Sequence, residues 1–307
     1  MGVDRLLLGA NPISGVDHAS NESARFRSES VTVPNILRMF RTARECGVRG
    51  FTYSLGPRML RLLPKISASQ EFRAFNLYPL IPNFNRFRSQ AGGRYAAGVL
   101  EAMVGSLSWG GKTKALLQGG WSYVTRNPRQ AIRAAIDAEL ANVFESSGGS
   151  ERVMGVFLPE FFTDAALALG LTSLLEEFVG YVRRRYSLTA GLQTRNFPLL
   201  VDSYARERYS LAEVSVMTPF NPLGFQMCPS RTECEAALER AHCQSVVAVS
   251  VLAGGQLPAE QAASYIRSQH GVSSVAIGAL RPAHIRETFN AFQSFATEPG
   301  PPGVSRP

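Results

Sequence analysis

Residues 245–278 read SVVAVSVLAGGQLPAEQAASYIRSQHGVSSVAIG, and this stretch decides the fold. It opens with the apolar, valine-rich run Ser245–Leu252 and turns at Gly254-Gly255. A helical pattern over Ala259–Gln269 follows, and then a second β-like run over Val272–Gly278. β-Branched runs without polar alternation fit strands buried on both faces. Two such runs joined through a helix read as a parallel crossover unit.

Working outward, the same alternation recurs along the chain. The other β-like runs are Arg5–Ala10, Arg49–Ser54, Ala74–Ile81, Val153–Leu158, Leu188–Gln193 and Glu213–Thr218. Helical spacing predicts helices over Pro34–Cys46, with Gly47 as the stop, from Asn127-Pro128 to about Phe144, and over Leu174–Arg185. It predicts two more over Thr232–Ala241, with Ser230 as N-cap, and Pro282–Phe295. Eight strands with intervening helices make a (β/α)8 TIM barrel, an α/β fold, with an open doubly wound sheet as the alternative. The expected organisation is one barrel domain over residues 1–296, interrupted by a helical insertion over 83–127. The Gly pairs of that insertion suit a lid over the barrel mouth, with a structural subdomain or a dimer contact as the alternative. A Pro/Gly tail over 297–307 is expected to be disordered.

The chain has 307 residues, 45% hydrophobic and 18% charged, with a formal charge of +8. This is ordinary globular composition, and a chain this long buries a large core without disulfides or a structural metal. The four cysteines, Cys46, Cys228, Cys234 and Cys243, show no zinc-finger spacing. The N-terminal apolar stretch is three leucines, too short for a signal-peptide core, and no run approaches a membrane span. A cytoplasmic protein acting on a small molecule is expected, with no nucleic-acid or membrane partner; a homo-oligomer stays open. The one dense basic cluster, Arg183-Arg184-Arg185, suits the negative end of a helix dipole. Ser106–Thr113 (SLSWGGKT) falls one residue short of a phosphate-binding P-loop and lacks a preceding strand.

In a barrel of this kind the reactive groups sit at the C-terminal ends of the strands. That rule selects Asn11, Asp17 and His18 after the first strand, Tyr53 on the second and Asn83 after the third. It selects Glu160 after the fourth, Gln193 and Arg195 at the fifth, and Asn221 and Gln226 after the sixth. Gly254, Gly255, Gly278 and Arg281 follow the last two. His18 beside Asp17 reads as a general acid/base, as a metal ligand, or as a surface histidine in an Asx-type turn. Glu160 reads as a base, as a metal ligand with His18, or as a charge at the start of the next helix. Tyr53 is the remaining proton-donor candidate. Asn11, Asn83, Gln193, Arg195, Asn221 and Gln226 are assigned to the substrate, and the glycines with Arg281 to a phosphate.

From about Gly47 to Phe289 the sequence resembles the aldo-keto reductase superfamily. Ser250–Leu257 (SVLAGGQL) is similar to that family's seventh-strand segment, which leads into the cofactor pyrophosphate site. Val275–Pro282, with His284 and Arg286, is similar to its eighth strand and phosphate-holding helix, and Gly191–Phe197 to its fifth-strand segment. The resemblance implies the barrel and a phosphate pocket. The family's catalytic Asp falls on Thr52 and its Tyr on Pro57. No Lys stands near Pro82-Asn83, and Glu160 stands where His is expected. The expectation is therefore an enzyme with a rebuilt site, acting by acid–base chemistry of a lyase, isomerase or hydrolase kind on a small oxygenated metabolite, with or without a phosphate. No obligatory cofactor is required, while NAD(P)H or a divalent metal stays open. The alternatives are an NAD(P)H-dependent oxidoreductase with another proton donor, and a non-catalytic ligand-binding barrel.

Overall fold

A computed structural model describes residues 2–14, 31–82 and 128–297. Eight parallel strands close a barrel in sequence order: β1 (Leu6–Gly9), β2 (Gly50–Ser54), β3 (Asn76–Leu80), β4 (Gly155–Leu158), β5 (Thr189–Gln193), β6 (Ser215–Pro219), β7 (Ser245–Val249) and β8 (Ser274–Ile277). β8 pairs with β1 through Leu6↔Val275 and Leu8↔Ile277, which closes the ring. The strand alternation read from the sequence is thus the observed architecture.

Side-chain parity divides each strand between the lumen and the surrounding helices. Leu7, Tyr78, Leu80, Phe157, Met217, Val247 and Ala276 form the inner cluster. Inward glycines make room for its rings. A Cβ on Gly191 would stand 2.3 Å from the Phe157 ring, and one on Gly50 or Gly155 would stand 3.2 Å from Tyr78. At the strand starts the Tyr78 hydroxyl and Asn76 Nδ2 each donate to Asp4 at 2.9 Å, and Ser215 meets Ser245 at 2.7 Å. Hydrogen-bonded polar groups and packed rings close this end.

The outer layer carries the larger core. Phe40, from the helix Val33–Glu45, packs edge-on against Phe51, Phe72 and Phe75 with centroids 5.0–5.3 Å apart. That helix starts where Thr32 accepts from the Asn35 amide, and the chain leaves it through Gly47 at φ 78°. Ser230 caps the helix Arg231–Arg240 as its spacing predicts. Arg183–Arg185 fill the last turn of the helix Thr172–Tyr186, where Arg183 pairs with Glu213.

Some expectations need correction. The helix expected over Pro282–Phe295 is two pieces, Pro282–Ala291 and Gln293–Thr297. The helix Pro57–Ile66 holds Pro64 inside it, against the rule that proline ends helices; its apolar face, Met59, Leu62, Leu63 and Ile66, is buried. The helix after β4 starts at Glu160 itself and runs to Ala168. Asp17, His18, Asn83, the expected 83–127 insertion and nearly all of the tail lie outside the described residues. Among the described residues no helix is long and apolar enough to cross a membrane.

Candidate active site

The polar end of the barrel is assembled most densely between β4 and β5. β4 runs into Pro159, whose extended backbone caps the helix Glu160–Ala168. Glu160 occupies the first turn, where the helix dipole favours a carboxylate. Its amide donates to the Gln193 side chain at 3.4 Å, across from the end of β5. Its carboxylate accepts from Arg195 Nη2 at 2.6 Å. Both side chains are partly exposed, at 32% for Glu160 and 40% for Arg195.

One turn along the same helix, Asp164 accepts from the Thr194 hydroxyl and, at 3.1 Å, from the Arg195 amide. Burial holds the Asp164 carboxyl above its ordinary range, opposed by those two donors. Asn196 then caps the helix Phe197–Arg206 by accepting from the Leu199 amide at 3.1 Å. The Arg195 carbonyl accepts from the Cys228 amide at 3.0 Å. Arg195 is therefore held on three sides. Its hydrogen bond to Glu160 pushes its pKa further up, so it is a fixed cation. Its Nε is buried with no hydrogen-bond partner among the described residues.

The β6 and β7 ends are organised differently. Asn221 is fully buried. It donates to the carbonyls of Phe225 (2.9 Å) and Ser250 (3.2 Å) and accepts from the Phe225 amide (2.8 Å). Gln226 accepts from the Ser250 hydroxyl at 2.9 Å. Both side chains tie the loops to each other, and the Oδ1 and Nδ2 of Asn221 are engaged within the protein. Gln226, Ser250 and Ala253 all have left-handed backbones (φ 62°, 52° and 48°), as do Gly254 and Gly255 (73° and 91°). Non-glycine residues rarely adopt that conformation.

The glycines assigned to a phosphate divide. Gly254 and Gly255 are exposed, and nothing lies within 4 Å of a Cβ built on Gly255. The Gly255 amide, however, already donates to the Leu252 carbonyl at 2.8 Å. At Gly278 a Cβ would meet Pro12 at 2.9 Å, so that glycine serves the packing of the loop after β1. Arg281 is exposed at the start of the helix Pro282–Ala291, and Asn11 is exposed at the end of β1.

Tyr53 requires correction as a proton donor. Its ring stacks on Phe51 at 5.1 Å, on the outer face of β2, and burial pushes its hydroxyl far above the ordinary range. β2 instead turns Thr52 inward, in register with Tyr78; its buried hydroxyl has no hydrogen-bond partner among the described residues. Thr194 directly follows β5 and comes under the strand-end rule, whereas Asp164, inside the helix Glu160–Ala168, escapes it. The signal that reveals it is the four-residue spacing of Glu160 and Asp164 on the helix capped by Pro159. Among the described residues no group of three or more His, Cys, Asp and Glu side chains is placed to hold a metal.

No family model and no curated protein matches the sequence. Solved structures do match in shape. A protein from Pseudomonas aeruginosa described as an aldo-keto reductase aligns over 97% of this chain and 92% of its own, with a TM-score of 0.57 and 14% identity. An aldo-keto reductase from Bacillus halodurans, in its holo form, aligns over 94% and 86% with a TM-score of 0.54 and 12% identity. One from Brucella melitensis aligns over 95% and 93% with a TM-score of 0.52 and 14% identity. At these identities the likeness is one of fold: the chain forms an aldo-keto-reductase-like (β/α)8 barrel.

Proposed function

We propose that the protein is an enzyme acting on a small, oxygen-rich metabolite by acid–base chemistry at the β4–β5 corner. The observation that supports this is the Glu160–Arg195 pair, 2.6 Å long and open to solvent at the C-terminal ends of the strands. A structural pair would be served equally well on the outer surface. Here it stands where barrels of this architecture place their reactive groups. In this reading Glu160 accepts a proton from substrate and returns it, and Arg195 orients and stabilises substrate oxygens that gain negative charge. Asp164 and Thr194 position Arg195, and Gln193 fixes the helix start. The test is turnover of a panel of hydroxy and oxo acids followed by NMR. Glu160→Gln is expected to lower turnover roughly a hundred- to ten-thousand-fold. Unchanged turnover in that variant refutes the reading.

A second reading, an NAD(P)H-dependent oxidoreductase, draws on the exposed left-handed turn at Gly254-Gly255. Such backbone geometry accommodates phosphates. Arg281 adds a positive charge at the neighbouring helix start. When bound, the dinucleotide would supply a hydride, and Gly254, Gly255 and Arg281 would hold its phosphates. Gly278 is taken up by its close packing against Pro12. Tyr53, turned outward, leaves this reading without its proton donor. Nicotinamide fluorescence on mixing with protein separates the two readings, and a 340 nm assay over aldehydes and ketones shows no rapid turnover if the first holds.

A further inference from the structure

The Arg195 guanidinium is built to receive two oxygens and holds one. Nε–H and Nη2–H lie on the same edge of the planar group, the edge that grips a carboxylate through two parallel hydrogen bonds. Glu160 Oε1 sits on Nη2 at 2.6 Å. Nε, next to it on that edge, is buried and lacks a partner among the described residues. A buried unpaired N–H costs stability, and a charged group makes that cost larger. Nothing in the supporting hydrogen bonds forces this arrangement. Asp164 and Cys228 hold the Arg195 backbone, leaving the guanidinium free of any other acceptor among the described residues.

From this mismatch we infer that Glu160 is a stand-in for the ligand's own carboxylate. A substrate carboxylate takes the Nε–Nη2 edge with both oxygens and displaces the Glu160 side chain, which is then released beside the bound molecule. The trade is carboxylate for carboxylate, so the charge on the guanidinium stays balanced, and two hydrogen bonds replace one. Both partners are partly exposed, so displacing Glu160 returns it to water instead of burying it. The substrate class is thereby narrowed to carboxylic acids. Phosphate, the other anion that matches the fork, is the competing source of the same chemistry.

The inference rests on the β4–β5 corner being the substrate site. Its test reads binding, whereas that proposal is tested by turnover, so the two can fail separately. Acetate, malonate and inorganic phosphate are titrated calorimetrically into the wild-type chain and into Glu160→Gln, Arg195→Gln and Arg195→Lys, each checked for an unchanged circular dichroism spectrum. The expected result is that Glu160→Gln binds malonate about tenfold more tightly than wild type, because the competitor has lost its charge. Arg195→Gln then shows no binding. Arg195→Lys, which keeps the charge and loses the fork, falls at least tenfold below wild type. Equal or weaker malonate binding in Glu160→Gln overturns the displacement. Undiminished binding in Arg195→Gln or Arg195→Lys overturns the site. Phosphate bound more tightly than malonate overturns the carboxylate assignment.

Discussion

The β4–β5 corner and the β6–β7 corner stand at the same end of one barrel and are built by opposite means. At β4–β5, side chains of opposite charge face each other across two loops, partly open to water, and Asp164, itself bonded by Thr194, fixes the Arg195 backbone. At β6–β7 the lining is neutral, Asn221 is fully buried, and a run of left-handed residues sets the backbone. The first corner leaves its charges partly open to solvent. The second arranges hydrogen bonds for its own loops. Polar residues at strand ends are thus of two kinds, and only the count of hydrogen bonds already made distinguishes them.

Substitutions can break or sharpen this contrast. The largest effect is expected at Asn221. Asn221→Ala leaves the Phe225 amide and two carbonyls without their partner in a partly buried setting, a loss of about 2–3 kcal/mol measurable by urea unfolding. A loss below about 0.5 kcal/mol, within ordinary surface behaviour, would mean that Asn221 is not a structural clasp. Next comes Gly255→Ala. It meets no atom within 4 Å, yet forces a side chain onto φ 91°, so a penalty of about 1–2 kcal/mol arises from backbone strain alone.

Asp164 comes third, and its effect depends on pH. Its folded-state pKa lies above the ordinary 3.8. The native state therefore favours the protonated form. The resulting stability is fully present below pH 3.8 and is lost as the pH rises through the raised value. Melting temperatures of the wild-type chain and Asp164→Asn, compared from pH 3 to pH 7, should diverge with that sign, wild type losing ground to the variant as pH rises; parallel curves refute it. The smallest effect on stability is expected at Glu160→Gln, under about 1 kcal/mol, because an ion pair this exposed is screened by water. A large loss there would move Glu160 into the structural class with Asn221.

Much of this was legible in the sequence, for particular reasons. Eight strands show because parallel barrel strands are buried on both faces and read as apolar runs, as Ser245–Leu252 does. Glu160, Gln193 and Arg195 show because strand ends are marked by where such runs stop. Tyr53 misleads because adjacent positions on a strand face opposite ways, and the end of a run does not say which parity is inward. The register does: Thr52 pairs with Tyr78, whose ring fills the lumen. The loop-tying role of Asn221 stays hidden because its identity is silent on how many of its hydrogen bonds the loops already use. Asp164 stays hidden because its role depends on the helix starting at Glu160, a boundary that shifts by a residue or two in any sequence-based assignment.

The sealed floor of the barrel carries a kinetic consequence. Asp4, Asn76 and Tyr78 close the strand starts, and Phe157 lies across Gly191 above them. Among the described residues these groups fill the barrel axis, so a molecule bound at the strand ends would have to leave from that same end. Were a reaction to take place there, arrival and departure would share that end, so a product still seated would shut out the next substrate, and of two ligands bound together the deeper would come first and leave last.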